Sequence, residues 1–202
     1  MTDLTALPLR ERKKALTRQA IIDAAERLFE ERGFDEVTVA EIADAANVSV
    51  KTLFVYFRSK EDLVFTDTWL IDELIDAMRR RPADVTHAEA VAQVLIGAMD
   101  RERGPGQGIE GFHRGYGGSE SLRSRMLRMW ADYEDRVTAF LADEAGGPAT
   151  PRMRVHAIEL IGIVRSLTSP EVRALVAGAD ALDEAAVLTD WLHTAARLVC
   201  AG

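Results

Sequence analysis

Cys200 is the sole cysteine in 202 residues, which excludes an internal disulfide and any multi-cysteine metal site. No apolar run approaches the ~20 residues needed to cross a bilayer. The opening MTDLTALPLRERKKALTRQ places its basic cluster after a weak apolar patch, the reverse of a secretory signal. The expected compartment is therefore the cytoplasm. The four histidines, His87, His113, His156 and His193, lack metal-ligand spacing, and no nucleophile stands beside a base in the sequence. A phosphate-loop motif is absent too. No metal, cofactor or catalytic residue is expected. Lysine is missing beyond residue 60: Lys13, Lys14, Lys51 and Lys60 are all there are, and every later cation on a side chain other than histidine is arginine.

What is present is apolar residue in quantity, 48%, against a net charge of -8 that is unevenly spread. Residues 1–60 carry 10 basic and 10 acidic side chains, so the whole acidic excess lies in residues 61–202. A neutral head with clustered cations on an acidic body suits a DNA-binding domain, 1–60, joined to a domain, 61–202, that should avoid DNA.

No strand survives scrutiny. The β-forming run Thr52–Phe57 is short and sits in a helical frame, and elsewhere the apolar period is close to 3.6. The expected fold is all-α, with about nine helices in two groups: a three-helix helix-turn-helix head and a C-terminal helical bundle for ligand binding and dimerisation. In the first helix Ile21, Ile22, Ala25, Leu28 and Phe29 form one stripe, with Thr17 as its cap and Leu16 and Ile21 as a staple. Gly33 ends it and lets Phe34 pack back on Phe29. Thr38-Val39-Ala40-Glu41 is a capping box that opens a second helix lasting to about Ala46. Asn47 supplies a left-handed turn residue, and Ser49 caps a third helix. Ser59 caps a fourth, with Asp62 at its third position, running to about Arg81 before Pro82. Later helices are expected over 86–102, 119–144, 151–168, about 170–177 and 183–200, the last capped by Asp183, with a glycine-rich loop over 104–118.

In a helix-turn-helix the second helix enters the major groove with its N-terminal residues against base edges. Here Leu53 and Phe57 face inward, while Ser49, Val50, Lys51, Thr52 and Phe54 are outward or marginal and Tyr56 lies at the edge. Lys51 reaches guanine O6 and N7 or a phosphate, Thr52 a base edge or thymine methyl, and Val50 only apolar groups. Lys60 and the capping Thr38 are candidates for phosphate, since the first N–H groups of a helix attract anions.

These residues resemble the TetR (tetracycline-repressor) family. The likeness rests on Thr17–Ile21, Leu28-Phe29, Gly33-Phe34, Thr38-Val39, Ile42-Ala43 and Ala46–Ser49, then on Thr52–Phe54, Tyr56-Phe57 and Ser59–Leu63. It implies a dimeric repressor whose C-terminal domain binds a ligand and releases DNA, with DNA contacts at Thr38, Ser49, Lys51, Thr52, Tyr56 and Lys60. Asn47 stands where glycine is commoner in the family, and Phe54 where tyrosine is commoner, which removes a hydroxyl. The stretch Glu120–Glu134 is similar to a subgroup that binds acyl-coenzyme-A-like ligands.

Along 119–144, Met126, Met129, Trp130, Tyr133, Val137 and Phe140 form a stripe that suits either core or an adaptable apolar pocket. Phe112, His113 and Tyr116 in the adjoining loop, with Trp69 and Met99, are the other candidates for a bulky hydrophobic effector. Helices 151–168 and 183–200 are apolar enough to form a four-helix interface with a second copy, and Arg165 within them needs a partner such as Glu159 or one from the other chain. A second reading of the same pattern is a ligand-independent DNA-binding regulator controlled by a partner protein; a third, a small helical enzyme with a similar head, is disfavoured by the lack of metal spacing and of a nucleophile beside a base.

Overall fold

The computed structural model describes residues 8–65, 69–99, 119–177 and 181–200, the side chains of Trp69 and of 181–183 excepted. Every regular element among them is helical: α1 (Leu9–Arg32), α2 (Val39–Ala45), α3 (Val50–Tyr56), a single 3₁₀ turn (Glu61–Leu63), α4 (Trp69–Arg80), α5 (His87–Met99), α6 (Glu120–Ala145), α7 (Pro151–Ser166), α8 (Pro170–Ala177) and α9 (Ala181–Cys200). The chain divides into two compact units, 1–67 with 115–123, and 68–114 with 124–202.

The first unit is built on Ile21, Ile22, Ala25, Val37, Ile42, Ala43, Leu53, Phe57 and Leu63, all buried together. Leu63 carries this core past residue 60. The helix α1 begins at Leu9 behind Pro8, nine residues earlier than a Thr17 cap requires. LRERKKALTRQ consists mostly of strong helix formers, and the Thr17 hydroxyl bonds back to the Lys13 carbonyl at 2.9 Å inside the helix. Leu16 is exposed, so it staples nothing. At the other end Gly33 takes φ 83° and donates to the Phe29 carbonyl, and the Phe29 and Phe34 rings meet at 5.0 Å as their spacing requires.

The fourth helix expected over 61–81 is interrupted. Leu63 and Val64 bond three residues back, to Lys60 and Glu61, and the chain turns at Val64-Phe65 before α4 begins at Trp69. The β-branched and aromatic Val64-Phe65 lose χ1 freedom against a preceding helical turn, which weakens continuation here.

The second unit packs α4 to α9 around Ile71, Leu74, Met78, Val91, Leu95, Val137, Phe140, Leu160, Ile161, Leu192 and their neighbours. The helix α5 opens on a second Thr-x-x-Glu capping box: the Thr86 N–H and hydroxyl both donate to Glu89, and Glu89 N–H donates back to the Thr86 hydroxyl at 3.1 Å. Thr150 caps α7 ahead of Pro151. The last helix starts at Ala181, so Asp183 lies inside its first turn rather than capping it; Ala-Leu are strong helix formers and extend it backwards. At the far end of α6, Glu144 accepts from Arg81 at 2.7 Å and from His87 at 2.9 Å, tying the α4–α5 turn to it. Burial, then the Arg81 charge, push the His87 pKa below its ordinary value.

Candidate nucleic-acid interface

The first unit holds two seven-residue helices, α2 and α3, at a fixed angle by local bonds. Thr38 N–H and hydroxyl donate to one Glu41 oxygen at 2.8 and 2.7 Å, and Glu41 N–H donates to the Thr38 hydroxyl at 3.3 Å. The other Glu41 oxygen takes Arg32 Nη1 at 2.7 Å, so the end of α1 is clamped to the start of α2. These bonds, first those from Thr38 and then that from Arg32, hold the Glu41 carboxyl down to about 2. The turn between α2 and α3 contains Asn47 at φ 54°, the left-handed conformation that its short polar side chain tolerates. Val48 N–H then returns to the Ala43 carbonyl at 2.9 Å, and Ser49 caps α3 by accepting from Thr52 N–H at 3.0 Å.

On α3 only Leu53 is fully buried, and Thr52 and Tyr56 are half-buried. Val50, Lys51, Phe54 and Val55 face outward, with Val50, Phe54 and Val55 exposed to 40%, 49% and 72%. Sequence reasoning passes over Val55, because a β-branched residue in a run of β-formers resembles core. The α3 periodicity places it opposite Leu53, which is the available signal. The Thr52 hydroxyl lies 2.8 Å from the Ser49 hydroxyl, so these two candidate contacts bond each other.

Lys60 departs from expectation. Its ammonium donates to the Phe34 carbonyl at 2.8 Å and the Val37 carbonyl at 2.9 Å, and it rests 4.1 Å from the centre of the Phe34 ring. It therefore ties the α1–α2 connection to the segment after α3 instead of standing out toward a phosphate. Ser59 accepts from Asp62 N–H at 3.3 Å and Asp62 accepts from Arg58 N–H at 3.2 Å, but the element that follows is only the short 3₁₀ turn, with Lys60 rather than Ser59 at its N-cap position.

In the second unit, Trp130 and Tyr133 are buried in the core with their rings edge to face at 5.7 Å, and Met99, Met126 and Met129 pack against that core partly buried. Phe112, His113 and Tyr116 lie outside the described residues, as does the Trp69 side chain. On α7, Ala157, Leu160, Ile161, Ile163 and Val164 point inward while Val155 and Ile158 are exposed; on α9, Leu188, Leu192 and Ala196 point inward and Leu198 is exposed. Trp191 is half-buried and donates to the Ser166 hydroxyl at 2.8 Å. Arg165 pairs with Glu134 on α6 at 3.7 Å, not with Glu159, whose partner is His156. Among the described residues no group of histidine, cysteine, aspartate and glutamate could hold a metal, and no helix is long and apolar enough to cross a membrane.

Two short capped helices joined by a tight left-handed turn, the second presenting an exposed face with a lysine, define a helix-turn-helix DNA-binding protein with a separate all-helical second unit. The comparisons with known proteins specify the family. The model of the bacterial regulatory proteins of the tetR family matches residues 21–66. The chain is 30% identical over 169 residues to the HTH-type transcriptional regulator TcmR of Streptomyces glaucescens, covering 78% of this chain and 75% of that protein. It is 35% identical over 86 residues to the HTH-type transcriptional repressor KstR2 of Rhodococcus jostii, 41% of each chain. Salmonella enterica GusR has a similar fold, with a TM-score of 0.54 at 16% identity over 92% of this chain and 94% of that one. This chain belongs to the TetR family of bacterial regulatory proteins, transcriptional regulators that bind DNA and are not enzymes.

Proposed function

We propose that the protein is a cytoplasmic homodimeric repressor that binds a palindromic operator and leaves it when a bulky hydrophobic small molecule binds the second unit. The observation that carries this reading is the α2–turn–α3 unit, whose caps and turn are complete and whose second helix turns an exposed face outward. Lys51 reads base edges there, with Val50, Phe54 and Tyr56 beside it. Thr38, Ser49 and Thr52 lie at the helix ends where the duplex backbone passes. Lys60 supports this surface from within. Repression is supported by the similarity over 86 residues to KstR2, a transcriptional repressor.

Dimerisation is supported by the outward Val155 and Ile158 on α7 and Leu198 on α9, apolar side chains that a second copy would cover. A hydrophobic effector is supported by polarisable and aromatic residues of α5 and α6 that belong to or pack on one core: Met99, Met126, Met129, Trp130 and Tyr133. Phe112, His113, Tyr116 and Trp69 complete the proposed lining. An acyl-coenzyme-A-like molecule is one ligand of that character.

The test is selection of duplexes from a random pool, followed by retardation of the selected site. A single palindromic sequence supports the reading, and release by a hydrophobic compound supports its effector half. Recovery of no preferred sequence would remove it. A site held unchanged in the presence of every compound that binds the second unit would leave a ligand-independent regulator instead.

A further inference from the structure

The outward face of α3 is unusually poor in hydrogen-bonding groups for a surface that reads DNA. Of its seven residues four are exposed, and Lys51 is the one polar side chain among them. The Thr52 hydroxyl is paired with that of Ser49, and Leu53 faces the core. At about 100° per residue, Val50 and Phe54 lie in one row on one flank of Lys51, and Val55 lies on the other. Exposing three large apolar side chains on so short a helix is costly in water. Among the described residues of the first unit the other exposed large apolar ones, Leu9 and Leu16, are on α1.

The major groove offers one apolar group at its base edges, the C5-methyl of thymine. We propose that Phe54 and Val55, with Val50, select the operator by packing on thymine methyl groups on both sides of a guanine read by Lys51. This rests on the assignment of α3 as the reading helix, which the family membership and the capped helix-turn-helix supply. The operator half-site is then a guanine flanked on either side by thymine, on one strand or the other. Specificity comes from methyl burial as much as from hydrogen bonds. Phe54, which lacks the hydroxyl of a tyrosine, is suited to this role because no polar tip has to be desolvated against a methyl.

The experiment uses the full-length native protein and a duplex that it selects from a random pool. Each thymine of the half-site is replaced in turn by deoxyuridine, which deletes one methyl and leaves the hydrogen-bonding edge intact. Affinity is expected to fall about fourfold for each methyl next to the guanine and to stay unchanged outside the half-site. Phe54→Ala is expected to abolish the uracil effect on one side of the guanine, and Val55→Ala on the other. Both residues are exposed, so the fold should survive, and the uracil series needs no variant at all. A selected operator bound equally well with uracil throughout would overturn the proposal and leave the DNA-binding assignment standing. Selection of no sequence would overturn both.

Discussion

An ammonium bonded to two carbonyl oxygens has one N–H left to offer, and Lys60 has given the others to Phe34 and Val37. Removing it takes a donor from both carbonyls of the α1–α2 connection, leaving Phe34 only the Val37 N–H at 3.4 Å, and uncovers the Phe34 ring. Lys60→Met should therefore destabilise the head by ~2 kcal/mol, seen as an earlier unfolding midpoint in denaturant. Operator affinity should drop alike on all sequences, with the salt slope of binding as in the native protein. A slope shallower by about 0.9, the signature of one lost phosphate contact, would instead make Lys60 a DNA ligand. Glu41 carries a second prediction at this scale. Its folded pKa, about 2, lies below the ordinary value of 4.5, so the stability it contributes is complete above about pH 4.5 and is lost as pH falls toward 2. The melting temperature of the native protein should fall through that window. Glu41→Gln should melt earlier at neutral pH and change less between pH 4.5 and 2; an identical acid profile would disconnect the capping box from stability.

At the scale of elements, α2, its turn and α3 are legible in the sequence because their signals are local: Thr38 and Glu41 three apart, Asn47 at the turn, Ser49 ahead of a helix. Where the deciding contacts are distant, the sequence pattern misleads. The carbonyls that capture Lys60 lie 23 and 26 residues upstream, and the Glu134 that pairs with Arg165 sits on another helix. The start of α1 is hidden because Thr17 has the chemistry of a cap, yet its hydroxyl bonds backwards within a helix already formed. The break after Leu63 is hidden because Ser59 and Asp62 form a convincing helix start, and only Val64-Phe65 argue against its continuation. The turn itself is open to test. Asn47→Ala keeps the Cβ at φ 54° but removes the polar amide that makes this conformation tolerable and should cost ~1 kcal/mol, whereas Asn47→Gly should hold or gain stability. Equal stability of the alanine variant and the native protein would mean that this turn has another basis.

At the scale of the whole molecule, the two units divide the labour: one, neutral over residues 1–60, presents α3, and the other has exposed apolar residues on α7 and α9. Ile158→Arg and Leu198→Arg each place a charge where the second copy is proposed to pack, without disturbing the core beneath, since both side chains are exposed. Each is expected to sediment as a folded monomer and to lose most operator affinity, because one head holds half a palindrome. A native protein that sediments as a monomer at micromolar concentration would remove the dimer. That the molecule is a sequence-reading DNA binder is tested most directly by one ratio, the affinity for its selected operator over that for the same duplex scrambled, in native and Lys51→Ala protein at fixed salt. The native ratio should be about a thousandfold or more, and Lys51→Ala should cut it by ~1–3 kcal/mol with little change on the scrambled duplex. Equal native affinity for the two duplexes would contradict it.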